Sequence, residues 1–324
     1  MKASLAASWF TVSWFAVSWL AVSVAVVIPI AATTVARAAD PLKVCLDEDL
    51  PPLSAHQKGK PDSGFDVALA QAIADRLGRP LRVQWFESKL DEDSSPALEA
   101  NALLSDGRCA LVGSYALTQD SLVVPRAKTA KLPDFEGATR SDRTRRVSLG
   151  VLKPSRPYLY SPLTVVLGPK ARDRRIGDVG DLAGLRIGIE SGTLADAILM
   201  TFGSGRLIDD IRHFVPGRQD LLGELERGDV DATLLDLRRF DAHRASHPDT
   251  KLAASGYYYP IGLNRGYVGL ASDTALLDAV NDALSDLQAS GSVAKLGEAA
   301  GLTYLPPREP AILGDAMQKV LVKP

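Results

Sequence analysis

Cysteine and histidine are scarce, with 2 Cys and 4 His in 324 residues. That is too few ligands for a multi-ligand zinc centre or an iron–sulfur cluster, so neither a metal nor a cofactor is expected. His56, His213, His243 and His247 sit in polar stretches without ligand spacing and read as surface histidines. A basic surplus is missing too. The 37 Lys and Arg face 39 Asp and Glu, a net charge of -2, which argues against a nucleic-acid binder. No Cys-x-x-Cys, nucleophile elbow, His-Glu-x-x-His, P-loop or dinucleotide fingerprint occurs, so the corresponding chemistries lack support. The mean hydropathy of +0.02 excludes a polytopic membrane protein. What is present is a chain with 46% hydrophobic and 23% charged residues, a composition that folds around a core.

One long uncharged run exists, from Ala3 to Thr34, after Lys2 and before Val35-Ala36-Arg37-Ala38-Ala39-Asp40. A positive start, an apolar stretch and an Ala-x-Ala site ending at Ala38 read as a secretory signal peptide, residues 1–38. The run is also long enough to span a bilayer, so an uncleaved anchor is the alternative. Cleavage after Ala38 removes Lys2 and Arg37 and no acid, leaving a more acidic chain in the periplasm. Cys45 and Cys109 lie in apolar runs that read as buried strands. An exported chain permits a disulfide between them; two buried free thiols are the other reading.

The remainder alternates strands and helices, which predicts an α/β fold with a parallel layer. A strand over Lys43–Leu46 precedes a Pro-rich loop. Val67, Ala70, Ile73, Ala74 and Leu77 recur at helical spacing, with Asp66 at the start and Gly78 and Pro80 at the end. Strands are predicted at Leu81–Phe86 and Arg108–Ser114, with a helix at Pro96–Ser105 between them. The polar, basic stretch Gln119–Val147 reads as a solvated surface excursion or a partner-facing loop. A second set follows, with strands at Leu163–Leu167, Leu185–Ile189 and Ala232–Leu235. Tyr257–Arg265 reads as a loop, Gly266–Ala271 as a strand and Thr274–Ala289 as an amphipathic helix.

Candidate site residues lie where strands end, since ligands of open α/β sheets bind beyond carboxyl ends. Asp47 follows the first strand, Ser114 and Tyr115 the third, and Asp236 follows Ala232–Leu235. Ser191-Gly192-Thr193 opens a helix, with Thr193 at the cap position and Asp196 three residues on. Such a helix start either caps itself or binds an anion. Tyr158, Tyr160 and Tyr257-Tyr258-Tyr259 are candidate pocket walls.

Several runs resemble the family-3 bacterial extracellular solute-binding proteins. They are Asp47 with Pro51-Pro52, then Gly64-Phe65-Asp66-Val67, then Asp181-Leu182-Ala183-Gly184-Leu185-Arg186-Ile187-Gly188-Ile189 leading to Ser191-Gly192-Thr193. Leu225-Glu226-Arg227-Gly228-Asp229-Val230-Asp231-Ala232 with Asp236 and the last amphipathic helix with Gly291 complete the set. The resemblance implies a two-lobed periplasmic binding protein type II fold with a ligand cleft between the lobes. Lobe one would comprise residues 40–162 and 264–305, with a basic insertion at 119–147. Lobe two would be 163–263, and 306–324 a C-terminal extension. The chain would cross near Ser161–Thr164 and return near Pro260–Gly266. A ligand carboxylate would meet Thr193, a ligand ammonium Asp236, and Thr118 would join Asp47, Ser114, Tyr115, Ser191 and Gly192 around the ligand.

The resemblance implies a non-enzymatic receptor that passes a small polar solute, amino-acid-like or a small carboxylate, to an ABC-transporter permease. The family's carboxylate-clamping Arg is missing from Thr118-Gln119-Asp120-Ser121; Arg145 or Arg146 from the insertion is a substitute to test against the structure. The placement of Cys45 and Cys109 also resembles periplasmic accessory proteins of quinoprotein alcohol or methanol dehydrogenases, whose partner would be the dehydrogenase. An enzyme similar to the cyclohexadienyl dehydratases is a third reading, for which no positioned acid or base stands out.

Overall fold

A computed structural model describes residues 39–88, 95–123, 125 and 127–314. The expected leader, residues 1–38, and residues 315–324 lie outside the described residues. Strand β1 (Leu42–Asp47) leads into a small hairpin, β2 (Asp49–Leu50) with β3 (Ser54–Ala55). Then come α1 (Phe65–Arg76), β4 (Leu81–Glu87), α2 (Pro96–Ser105), β5 (Leu111–Ala116) and the single turn α3 (Gln119–Leu122). Short strands follow: β6 (Thr129–Lys131), β7 (Asp134–Phe135), β8 (Arg146–Ser148) and β9 (Leu152–Pro154). The chain continues through β10 (Leu159–Leu167), β11 (Ile187–Glu190), α4 (Leu194–Thr201), β12 (Ile211–Phe214), α5 (Leu221–Arg227), β13 (Ala232–Asp236) and α6 (Leu237–Ser246). It closes with β14 (Ala253–Leu270), α7 (Thr274–Ala289) and α8 (Ser292–Ala299).

One sheet runs in the order β12-β11-β13-β10-β14-β5-β1-β4-β7, with β9 also paired to β14. The expected parallel layer is found twice. β1 is parallel to β4 and β5, and β11 is parallel to β12 and β13. Between these halves β10 and β14 pair antiparallel with each other and with their neighbours β13 and β5. The expected crossing and return segments therefore face one another, Ser161 opposite Leu263 and Pro162 opposite Gly262.

Side-chain alternation along β1 explains the two layers of the first half. Leu42, Val44 and Leu46 pack with α1, α7 and α8, whereas Cys45 faces the α2 side with Leu103 and Val112. In the second half Val165, Ile187 and Leu234 pack against α4, and Val166 and Leu235 against Leu225 of α5 and Phe240 of α6. Cys45 and Cys109 form a disulfide, their Cα atoms 5.6 Å apart.

Three expectations need correction. Tyr257–Arg265 is not a loop: it belongs to the 18-residue β14, because Gly262, Leu263, Asn264 and Arg265 in succession, and Tyr258, pair with β10 across the middle of the sheet. The third strand starts at Leu111 rather than Arg108, since Arg108 is drawn instead to Asp106 and Asp142. The stretch 119–147 is not a bare excursion. β6 and β8 pair within its span and just beyond, β7 joins the sheet edge at Phe86, and Ala130, Leu132, Phe135 and Val147 enter the core over α2.

Candidate functional site

The carboxyl ends of β1 and β5 and those of β11 and β13 open onto two cavities. The first, of 420 Å³, is lined by Asp47, Phe86, Glu99, Ser114, Tyr115 and Arg265 among others. The second, of 220 Å³, is lined by residues that include Ser161, Glu190, Thr193, Asp236, Arg239 and Gly262. Asp47, Ser114 and Tyr115 thus meet in one cavity, and Thr193 and Asp236 in the other. Arg265 of β14 joins the two. Its Nη1 donates to the Ser114 carbonyl at 2.9 Å and its Nη2 to Asp236 Oδ2 at 3.4 Å.

Asp236 is already engaged. Besides Arg265 it accepts from Ser161 Oγ at 3.1 Å and from the Arg238 backbone N–H at 2.9 Å, which makes it the cap of α6. A ligand ammonium reaching it must share or displace these donors. Ser114 is held at every polar atom. Its N–H donates to the Tyr158 hydroxyl at 2.7 Å, its hydroxyl donates to Asp66, and its carbonyl accepts from Arg265. It does so at φ 51, a left-handed conformation that few non-glycine residues adopt and that costs energy which the surrounding bonds must offset. The Ser114 hydroxyl therefore turns to Asp66, and the residue lines the cavity with its backbone. Asp66 is wholly buried. Burial pushes its carboxyl up to about 6, against the lowering effect of Ser114, Tyr158 and Arg265.

Burial also raises the Asp47 carboxyl, and the negative charges of Asp49, Glu99 and Glu48 raise it further, opposed by the Asp49 N–H. Glu99 accepts from Ser88 Oγ at 2.6 Å. The Tyr115 hydroxyl donates to the Ser121 carbonyl at 2.6 Å, which fixes the ring against the first cavity. In the second cavity Arg239 grips Glu190 with both terminal nitrogens, Nη2 at 2.8 Å from Oε1 and Nη1 against Oε2. This is the fork geometry that suits a carboxylate.

The helix start at Ser191-Gly192-Thr193 caps itself. Thr193 Oγ1 accepts from Asp196 N at 3.1 Å and donates to the Glu190 carbonyl, and Gly192 N donates to Asp196 Oδ2 at 2.8 Å. Thr193 lines the second cavity, whereas Ser191 and Gly192 are exposed beside it. Thr118 caps α3 through Ser121 N at 3.3 Å and bridges to Leu313; Ser121 lines the first cavity, whereas Thr118 itself lines neither.

Neither Arg145 nor Arg146 lines either cavity. Arg145 pairs with Asp106 and Asp142, and Arg146 bonds Thr129. Of the candidate tyrosine walls, Tyr158 lies behind Ser114 and Tyr160 lies under the Arg308 guanidinium; Tyr257, Tyr258 and Tyr259 pack onto the second-half core. Arg265, Glu99, Glu190 and Arg239 escaped the sequence reading. Glu99 carried a signal, as the single acid in the run Pro96–Leu104, which is apolar but for it and Asn101. Arg265 was hidden inside a strand read as a loop. Among the described residues no group of three His, Cys, Asp or Glu is placed to hold a metal ion, and no helix is long and apolar enough to cross a membrane.

No protein-family model matches the chain, and neither does any curated protein sequence. Solved structures do match. The second substrate-binding domain of GlnP from Lactococcus lactis, in an open conformation, is 19% identical, covers 80% of this chain and 94% of its own, and has a TM-score of 0.57. The L-cystine solute receptor of Neisseria gonorrhoeae, unliganded and open, is 19% identical over 80% of this chain and 92% of its own, with a TM-score of 0.54. A histidine kinase sensor domain similar to periplasmic binding proteins is 16% identical over 82% of this chain and 98% of its own, with a TM-score of 0.51. The chain shares their α/β fold, that of the type II periplasmic binding proteins.

Proposed function

We propose that the chain is a periplasmic solute-binding protein. It would take a small polar solute, amino-acid-like or a small carboxylate, between residues 40–162 with 264–305 and residues 163–263, and deliver it to an ABC-transporter permease. The observation that carries this reading is the Arg265 bridge. One guanidinium ties Ser114 in the first cavity to Asp236 in the second, so a ligand reaching both would meet acid, base and hydroxyl groups from both sheet halves. The neighbours named as substrate-binding domain and solute receptor share the fold and support the same reading. Binding and release would then accompany hinge motion about β10 and β14.

The test is a thermal-shift screen on residues 40–324, unfolded and refolded with the disulfide intact to strip carried ligand. The panel holds amino acids, small carboxylates, polyamines and alcohols. A ligand at 100 times its Kd stabilises by about 2.7 kcal/mol. One clear hit, lost in Asp236→Ala, supports the receptor reading. A flat panel from folded protein overturns it and turns attention to a dehydrogenase partner, sought by pull-down from periplasmic extract.

A further inference from the structure

A third opening differs from both cavities in its charge. A groove of 970 Å³ runs between the loop at Pro51-Pro52 and Lys60–Gly64, the outer face of α6, and the end of α8 at Ala299-Ala300. Its charged lining consists of Lys60, Arg238 and Arg239, joined by His243. No carboxylate lines it among the described residues, whereas the first cavity carries Asp47 and Glu99 and the second Glu190 and Asp236.

The cations of the groove are unequally satisfied. Arg239 is neutralised by Glu190. His243 Nε2 is buried without a hydrogen-bond partner and lies 3.6 Å from Glu226. Lys60 Nζ donates only to the neutral Gln57 amide, at 2.6 Å. Arg238 reaches across the sheet halves, its Nη1 donating to the Pro51 carbonyl at 2.8 Å. Its Nε is buried and makes no hydrogen bond. Burial weakens its hold on the proton; Asp236 opposes this most strongly, Arg265 and Arg239 add like-charge repulsion, and Asp47 opposes it less. A part-buried guanidinium with an unpartnered Nε and no paired carboxylate is a costly arrangement by itself. An oxyanion that offers two oxygens to the guanidinium fork, carboxylate or phosphate, is the chemical partner that relieves it.

We infer that this groove is a binding site for a small multivalent oxyanion, a phosphate or a di- or tricarboxylate, held by Arg238 and Lys60. An occupant touching both would link α6 to the Pro51-Pro52 loop at a place that shares Arg239 alone with the lining of the second cavity and nothing with that of the first. The inference is independent of which solute, if any, the cavities take.

The experiment is a titration of the chain 40–324 with inorganic phosphate and with citrate, followed by calorimetry and thermal shift, with ionic strength held constant by sodium chloride. Saturable binding of one or both is expected, and which of them binds tighter separates the phosphate from the carboxylate source. Arg238→Gln and Lys60→Gln should each weaken it about tenfold, the size of one charge-assisted contact. Lys131→Gln removes the same charge from β6, remote in the fold, and should leave binding unchanged. Absence of saturable binding to the wild-type chain overturns the inference. So does an equal loss in Lys131→Gln, which would mark a general charge effect. If Arg238→Gln fails to fold, the exposed Lys60 decides the outcome by itself.

Discussion

Asp66 has two hydroxyl donors and no cation bonded to it. Its carboxyl titrates at about 6 in the fold against an ordinary 3.8. Above pH 6 the folded chain must carry the buried charge, whereas between pH 4 and 6 it keeps a proton that the unfolded chain has lost. The Asp66 contribution is therefore fully present below about pH 4 and is lost as pH rises through 6, a swing of about 3 kcal/mol. Asp66→Asn should remove that slope. The difference in unfolding free energy between wild type and variant, measured from pH 4 to 8, isolates it from other carboxylates. Asp142, Asp181 and Asp231 are shifted down by their hydrogen bonds and bias the total curve the other way. A difference that stays constant with pH would mean that Asp66 is ionised throughout.

The Arg265–Asp236 pair belongs to the same scale. Both side chains are mostly buried, at 13% and 25% exposure, so removing one partner strands the other. Asp236→Ala also strips the cap from α6, and Arg265→Ala frees the Ser114 carbonyl. A double-mutant cycle subtracts those separate losses. The coupling expected is about 1–2 kcal/mol in urea unfolding; a value near zero would show that Ser161 and the Arg238 N–H alone hold Asp236.

Among the elements, the C-terminal segment binds where the halves meet. Asn264 of β14 donates its amide to the carbonyls of Arg308, Pro310 and Ala311 and accepts from Arg308 N. Leu313 then pairs alongside the residues that follow β5, donating to the Leu117 carbonyl and accepting from Gln119 N. Asn264→Ala takes the partner from these backbone groups at a part-buried position, and should cost about 1–2 kcal/mol. Chemical denaturation would read it, and a loss below 0.5 kcal/mol would show the segment to be held by other contacts. The disulfide acts at this scale as well. It closes a 64-residue separation between β1 and the turn before β5. Replacing both Cys45 and Cys109 by Ser should lower stability by about 4 kcal/mol in the chain-entropy treatment.

Elements were legible from sequence where local pattern and tertiary role agree. The helix at Phe65–Arg76 shows its apolar spacing and its Gly78 stop, and Pro96–Ser105 shows its Ser95 cap and Pro start. Of β14 only the end was legible, as the predicted strand from Gly266; the part before it was not, because Pro260 and Gly262 are turn residues by local rule and only the long-range pairing with β10 makes this part strand. Gly262 is required there by close approach: a Cβ would stand 2.5 Å from the Tyr160 ring. For the site the same division holds. Asp47, Ser114, Tyr115, Thr193 and Asp236 line the cavities because strand ends can be read one at a time. The ion pairs Arg265–Asp236 and Arg239–Glu190 join residues 29 and 49 positions apart, and no local pattern announces which distant charges will meet.

At the scale of the molecule, β10 and β14 decide whether the two halves behave as one. Each half has its own pair of hydrophobic clusters, Leu42 and Cys45 heading one pair, Val165 and Val166 the other. Two such cores could unfold separately. Against that stands a strand of 18 residues that contributes Tyr267 and Val268 to the first half and Tyr257, Tyr258 and Tyr259 to the second. Breaking either core leaves β14 with unpaired backbone groups along half its length, a penalty shared by both halves. The expected result is one cooperative transition. Trp85, the single Trp after residue 38, is 2% exposed in the first-half core. Its fluorescence therefore reports that half alone, whereas far-ultraviolet circular dichroism reports both. In urea the two curves should coincide for residues 40–324, the signature of two-state unfolding. A fluorescence transition displaced from the dichroism would show that β10 and β14 act as a linkage between independent folding units, and a solute spanning both cavities should then draw the two transitions together.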